Sequence, residues 1–151
     1  MVATEFYLGA DIGGTGVKYV ITQENGVVVH QGTVPTDPQS GKRTLGRLAM
    51  EVAEKIAPAS DSDEATFSQL AGVGLACAGI VDPETGYLGR SPNLPGWEGT
   101  NLKTIIANEF QGKPSVVAND VNAALYGEYS HGAGRDCKNL VMIALGTGVG
   151  G

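Results

Sequence analysis

Short apolar runs broken by glycine turns open this chain, and a helical spacing of apolar residues takes over after residue 44. Phe6-Tyr7-Leu8-Gly9-Ala10-Asp11 reads as a strand ending in an acid, Gly13-Gly14-Thr15-Gly16 as a tight turn, and Val17 to Thr22 as a returning strand. Asn25-Gly26 is a hairpin signal, so Val27 to Val34 becomes the third strand of an antiparallel meander. Pro35 to Gly41 reads as a loop. Leu45, Leu48, Ala49, Val52 and Ile56 then follow i, i+3, i+4, i+7, i+11, the stripe of an amphipathic helix. Glu51 and Lys55 pair on its exposed side, and Pro58 ends it.

Ala59 to Ser68 is polar and acidic, a solvated linker. Leu70 to Ala78 is a strand of small residues, 82–86 a turn, and Gly89 to Gly99 a loop whose three glycines and two prolines forbid regular structure. Leu102, Ile105, Ile106 and Phe110 mark a second helix capped by Thr100 or Asn101 and stopped by Gly112-Lys113-Pro114. A strand over 115–118, a helix opened by Asp120, a glycine loop at 132–134 and a strand over 139–145 complete the pattern. The order is that of an α/β domain with a mixed sheet, three antiparallel strands leading into βαβ units.

Composition narrows the function. The 151 residues carry 23 glycines, about twice the usual ~7% share, clustered at strand ends where backbone must approach something closely. A net charge of −6 argues against nucleic acid or an anionic membrane as the main partner. Neither a signal peptide nor an apolar run near the ~20 residues of a membrane span is visible. Cys77 and Cys137 form no CxxC and read as reduced thiols, which favours a cytoplasmic location. His30 and His131 lack metal-ligand spacing.

Three stretches carry candidate chemistry. Asp11-Ile12-Gly13-Gly14-Thr15 puts an acid before bare backbone: either an anion-binding nest with Asp11 on a Mg²⁺-bound water, or a hairpin turn using glycine for positive φ. Gly146-Thr147-Gly148-Val149-Gly150-Gly151 satisfies GxGxxG after a strand, the dinucleotide fingerprint. Two such turns in one chain fit a nucleotide triphosphate between two lobes better than a single-turn dinucleotide site. At Asn119-Asp120 an apolar run switches to a helical pattern. Asp120 can be the helix cap or a general base for a hydroxyl, and Asn119 can fix a sugar hydroxyl with amide donor and acceptor.

These blocks, with Ala78-Gly79-Ile80-Val81-Asp82, Ser91-Pro92-Asn93-Leu94-Pro95-Gly96-Trp97 and the run from Ala118 to Gly127-Glu128, occur in an order that resembles the ROK (repressor, open reading frame, kinase) family. The resemblance covers essentially the whole chain. It implies an actin-like ATPase (ribonuclease H-like) fold of two lobes closing around a hexose and Mg-ATP. By resemblance Asp120 is the catalytic base; Asn119, Asp120, Asn93 and the backbone at Gly79 bind the sugar. Asp11, Gly13, Gly14 and Thr15 form the first phosphate loop, with Asp11 near Mg²⁺, and Gly146, Thr147 and Gly148 the second. Gly16 departs from the Lys or Asn frequent in the family, and Lys18 reads as a solvent-facing strand lysine.

The family's remaining sugar ligands, its Cys-rich zinc motif and its adenine pocket would follow the second loop. The expectation is therefore a truncated chain: residues 1–119 as the first lobe and 120–151 as the start of the second, inactive alone. The full-length protein would be a homo-oligomeric, ATP-dependent hexose kinase of the glucokinase kind, acting on small molecules. The alternative is a sugar-sensing transcriptional repressor of the same family.

Overall fold

The computed structural model describes residues 5–56, 66–145 and 149–150. A five-stranded sheet in the order β3-β2-β1-β4-β5 forms the frame. Strands β1 (Phe6–Ile12), β2 (Gly16–Gln23) and β3 (Val28–Pro35) make the expected antiparallel meander. Strands β4 (Leu70–Cys77) and β5 (Ser115–Asn119) add in parallel beside β1. Antiparallel neighbours need only turns, whereas β1, β4 and β5 require crossovers. Those crossovers supply the helices α1 (Gly41–Ile56) and α2 (Leu102–Glu109).

Alternation along each strand decides which face is covered. Leu8, Ala10 and Ile12 of β1, Val17, Tyr19 and Ile21 of β2, and Val73, Leu75 and Cys77 of β4 are buried. Leu45, Leu48, Val52 and Ile106 from the two helices are buried in the same cluster. Each fully buried aliphatic side chain there contributes about 1.5–3 kcal/mol. The opposite face carries Gly9, Asp11, Lys18, Val20, Gly74, Ala76, Val116 and Ala118, and borders a cavity of about 1170 Å³.

Four elements differ from the expectation. Helix α1 begins at Gly41 rather than at Thr44, because Ser40 supplies the start: its Oγ accepts the N–H of Arg43. Pro58 and most of the polar linker lie outside the described residues. The linker's end is not solvated, since Phe67 is buried and tilted against Phe110 at 5.3 Å between ring centroids. Asn119, not Asp120, caps helix α3 (Asp120–His131). The strand expected over 139–145 shrinks to β6 (Ala144–Leu145), which among the described residues pairs only with β7 (Val149–Gly150). Val141 and Ile143 stay exposed, because no described strand lies beside them to complete a ladder.

Candidate active site

Parallel strands bring their carboxyl ends to one edge, and the residues just beyond those ends line a crevice. Ile12 of β1 is level with Cys77 of β4, and Cys77 with Asn119 of β5. At ~4.8 Å per strand, Ile12 and Asn119 stand roughly 10 Å apart. Asp11 and Asp120 therefore approach one crevice from its two sides.

Asn119 uses most of its amide on the chain itself. Its Oδ1 accepts the N–H groups of Val121 (2.9 Å) and Asn122 (3.2 Å), and its Nδ2 donates to the Gly79 carbonyl at 3.0 Å. One amide hydrogen is left for a ligand. That capping arrangement releases Asp120 from the same duty. The half-buried Asp120 accepts only from the neighbouring Val121 N–H among the described residues, through Oδ1 at 3.0 Å.

The first glycine turn closes with the Gly13 N–H donating to the Gly16 carbonyl at 3.0 Å. Neither Gly13 nor Gly14 has positive φ, so the hairpin explanation of these glycines fails. Space explains them instead. A Cβ on Gly13 would stand 3.0 Å from the Gly16 carbonyl oxygen, and one on Gly14 would stand 3.3 Å from that of Asn93. Thr36 holds the turn from behind: its N–H donates to the Thr15 carbonyl at 3.1 Å and its hydroxyl to the Gly13 carbonyl at 2.8 Å. With those carbonyls turned back, no protein acceptor takes the N–H of Gly14 or Thr15 among the described residues. Consecutive free amides of this kind suit an anion.

Loop 79–99 is shaped by contacts that composition did not reveal. Gly79 has φ +124, and a Cβ there would stand 2.7 Å from the Arg90 carbonyl, so only glycine fits. Ser91 is buried; its Oγ donates to the Ala78 carbonyl at 2.6 Å, and its N–H donates to Glu98 Oε1 at 2.7 Å. Trp97, fully buried, donates its indole N–H to the Asp37 carbonyl at 2.8 Å. The loop is thus pinned at both ends while Asn93 stays exposed at its tip, against Gly14. Ser91, Glu98 and Thr36 were missed as site-building residues. The one available signal was a serine beside a proline in a loop rich in glycine and proline.

Electrostatics bind the parts together. Loss of hydration and then the charge of Asp120 raise the Asp11 carboxyl above its ordinary value, while Lys18 pulls it back. Lys18 is the exposed strand lysine expected; it also lies directly opposite Asp11 in the β1–β2 register and lines the same cavity. Burial first, then Asp120 and Asp11, pushes the Cys77 thiol up to about 12. That thiol stays protonated and donates weakly to the Ala78 carbonyl at 3.6 Å, which removes it as a nucleophile.

Gly146, Thr147 and Gly148 lie outside the described residues. Their flanks are informative: Leu145 pairs antiparallel with Val149, so the motif joins two strands. A dinucleotide fingerprint joins a strand to a helix.

A model of the ROK family matches residues 7–151. The chain belongs to the ROK family. Among its relatives are the glucokinases of Halalkalibacterium halodurans, 33% identical over 150 residues, and Thermotoga maritima, 35% identical over 144. The alignments cover 99% and 95% of this chain but 44% and 43% of those proteins, so the chain spans less than half of their length. A ROK family glucokinase from Streptomyces griseus, solved in complex with glucose and AMPPNP, superposes with a TM-score of 0.71 at 31% identity. That match covers 96% of this chain and 43% of the other. The chain accordingly has the actin-like ATPase fold of the ROK kinases, truncated relative to its neighbours.

Proposed function

We propose that the whole protein is an ATP-dependent hexose kinase of the glucokinase kind, and that Asp120 is its general base. The observation that carries this is the meeting of three things at one edge of the sheet: a carboxylate not occupied in capping, a turn with free amides, and the exposed Asn93 against that turn. Likeness to glucokinases, one solved with glucose and a nucleotide analogue, supports the same reading.

Asp120 would accept the proton of a sugar hydroxyl as its oxygen attacks the γ-phosphorus. Asn93, the remaining amide hydrogen of Asn119 and the backbone at Gly79 would orient that sugar. The amides of Gly13, Gly14 and Thr15 would face the phosphates, with Gly146, Thr147 and Gly148 opposite. Mg²⁺ brought in with the nucleotide neutralises phosphate charge, and Asp11 would meet it through a water. The residues fit that group, since lost hydration and then the Asp120 charge raise the cost of ionising Asp11, and a nearby cation relieves it. Residues 1–119 would form the first lobe and 120–151 the start of the second, so the chain alone would not turn over.

The test is ADP release by the whole protein, offered glucose, mannose, fructose and the N-acetylated amino sugars in turn. Hexose-dependent release that falls roughly 10²–10⁴-fold in Asp120→Ala is expected. No hexose-dependent release with any sugar would refute the kinase reading. An Asp120→Ala enzyme with undiminished rate would refute the base.

A further inference from the structure

We propose that the β3–α1 connector, residues 36–40, is a positioning strap that ties the sugar-side loop to the phosphate-side turn, with Thr36 and Trp97 as its two anchoring side chains. The inference rests on the kinase reading for what the two loops bind, but the strap is defined by contacts alone. Thr36 holds the glycine turn through the Gly13 and Thr15 carbonyls. The next residue, Asp37, takes the Trp97 indole N–H on its carbonyl. One peptide unit thus separates the hold on the turn from the hold on the loop.

The connector itself is stiff. The Asp37 N–H donates to the buried Thr44 hydroxyl at 2.8 Å, and its carboxylate accepts the Gln39 N–H at 2.9 Å and pairs with Arg43 Nε at 2.7 Å. The loop's fit leaves no slack: a Cβ on Gly96 would stand 2.5 Å from the Pro38 carbonyl, and one on Gly41 would stand 3.1 Å from the Trp97 ring. Asn93 and Gly14 meet directly at the far end. Turn, connector and loop therefore close a ring of contacts, and a displacement at one substrate's loop displaces the other's. Neither Thr36 nor Trp97 touches a proposed substrate position; each acts through backbone.

Crossed effects test this in the whole protein. Thr36→Val keeps shape and removes the hydroxyl donor; Trp97→Phe removes the indole N–H. Each lost bond corresponds to roughly 2–10-fold in an apparent affinity. Thr36→Val, made on the phosphate side, is expected to raise KM for the hexose, and Trp97→Phe, made on the sugar side, to raise KM for ATP. The double variant should be no worse than the worse single by more than about 2-fold, because both cut one ring. Tyr19→Phe, which loses a comparable bond to Glu51 elsewhere in the core, should leave both KM values alone.

Amide hydrogen exchange reads the strap without any turnover. Trp97→Phe should speed exchange at Gly14 and Thr15, and Thr36→Val at Ser91 and Asn93, with Tyr19→Phe moving neither. Effects confined to each variant's own loop, or simply multiplying in the double variant, would overturn the strap. Loss of all hexose-dependent activity in the unaltered protein would instead strike the kinase reading, and the exchange result would still decide the strap.

Discussion

Helices α1 and α3 are of similar length and both carry apolar residues, yet their fates differ. In α1, Leu45, Leu48 and Val52 are completely buried against the sheet. In α3 no residue is buried, and Tyr126 and Tyr129 are 71% and 51% exposed. The difference lies in what stands opposite. Helix α1 leads from the edge strand β3 back over the sheet to β4, on the far side of β1, and packs on α2 as it does so. Among the described residues, helix α3 packs chiefly beside β4 and β5, and more sparsely than α1 does on its neighbours. An apolar stripe names a face that needs a partner; it does not guarantee that the partner lies within the same stretch of chain.

Substitution in the two regions sharpens that contrast. Trp97→Ala, inside the packed half, should cost about 3–5 kcal/mol in urea unfolding of this chain. Tyr126→Ala should stay within about 0.5 kcal/mol. Equal losses would mean that α3 is packed as firmly as α1, contrary to its exposure.

A smaller effect separates two neighbours at the α3 start. Asn119→Ala should lose about 0.5–2 kcal/mol, the cost of a missing cap. Asp120→Ala should lose less, because among the described residues its carboxylate accepts only from the adjacent amide. The reverse order in thermal melts would restore Asp120 as the cap.

Asp11→Asn should shift stability in the opposite direction. The folded protein raises this carboxyl above its ordinary 3.8, so the folded state holds the proton more tightly than the unfolded chain. Asp11 thus favours folding below the unfolded value and loses that benefit as pH rises through the raised folded value. The neutral Asn should melt slightly higher at pH 7, and the gap should close on acidification below the unfolded value. Solvent around Asp11 keeps the gain modest. A variant less stable at pH 7, or a gap that widens in acid, would contradict the raised Asp11 carboxyl that lost hydration and then the Asp120 charge produce.

The smallest effect belongs to Lys55→Ala. Its i,i+4 pair with Glu51 is 3.9 Å long and exposed, so about 0.2–0.5 kcal/mol is expected. Glu51 has a second partner in the buried Tyr19 hydroxyl at 3.0 Å, so Glu51→Ala should cost more than Lys55→Ala. Equal costs in a denaturant titration would mean that the tyrosine bond contributes nothing.

The meander, both core helices and a cap of α2 at Thr100 or Asn101, which the structure gives to Asn101, were legible in the sequence, because each depends on residues near in the chain. Asp11, Asn93, Gly79 and Asn119-Asp120 were legible as a group only through their resemblance to a family pattern. What stayed hidden depends on distant pairings. Thr36 looks like any loop threonine until β3 sets it behind the Gly13 turn, 23 residues away. Glu98 becomes a loop clamp only when Ser91 turns inward. The Asn119 cap was hidden for a local reason: two adjacent residues both suit the position, and only backbone geometry chooses between them.

The account depends most on Asp120 being free to take a proton at the edge it shares with the glycine turn. The direct measurement is kcat for hexose phosphorylation by the whole protein carrying Asp120→Asn, beside its melting temperature and its affinity for AMPPNP. A kcat reduced roughly 10²–10⁴-fold, with melting and nucleotide affinity nearly unchanged, is the expected result. An unreduced kcat in a variant that folds and binds the nucleotide normally would contradict the account.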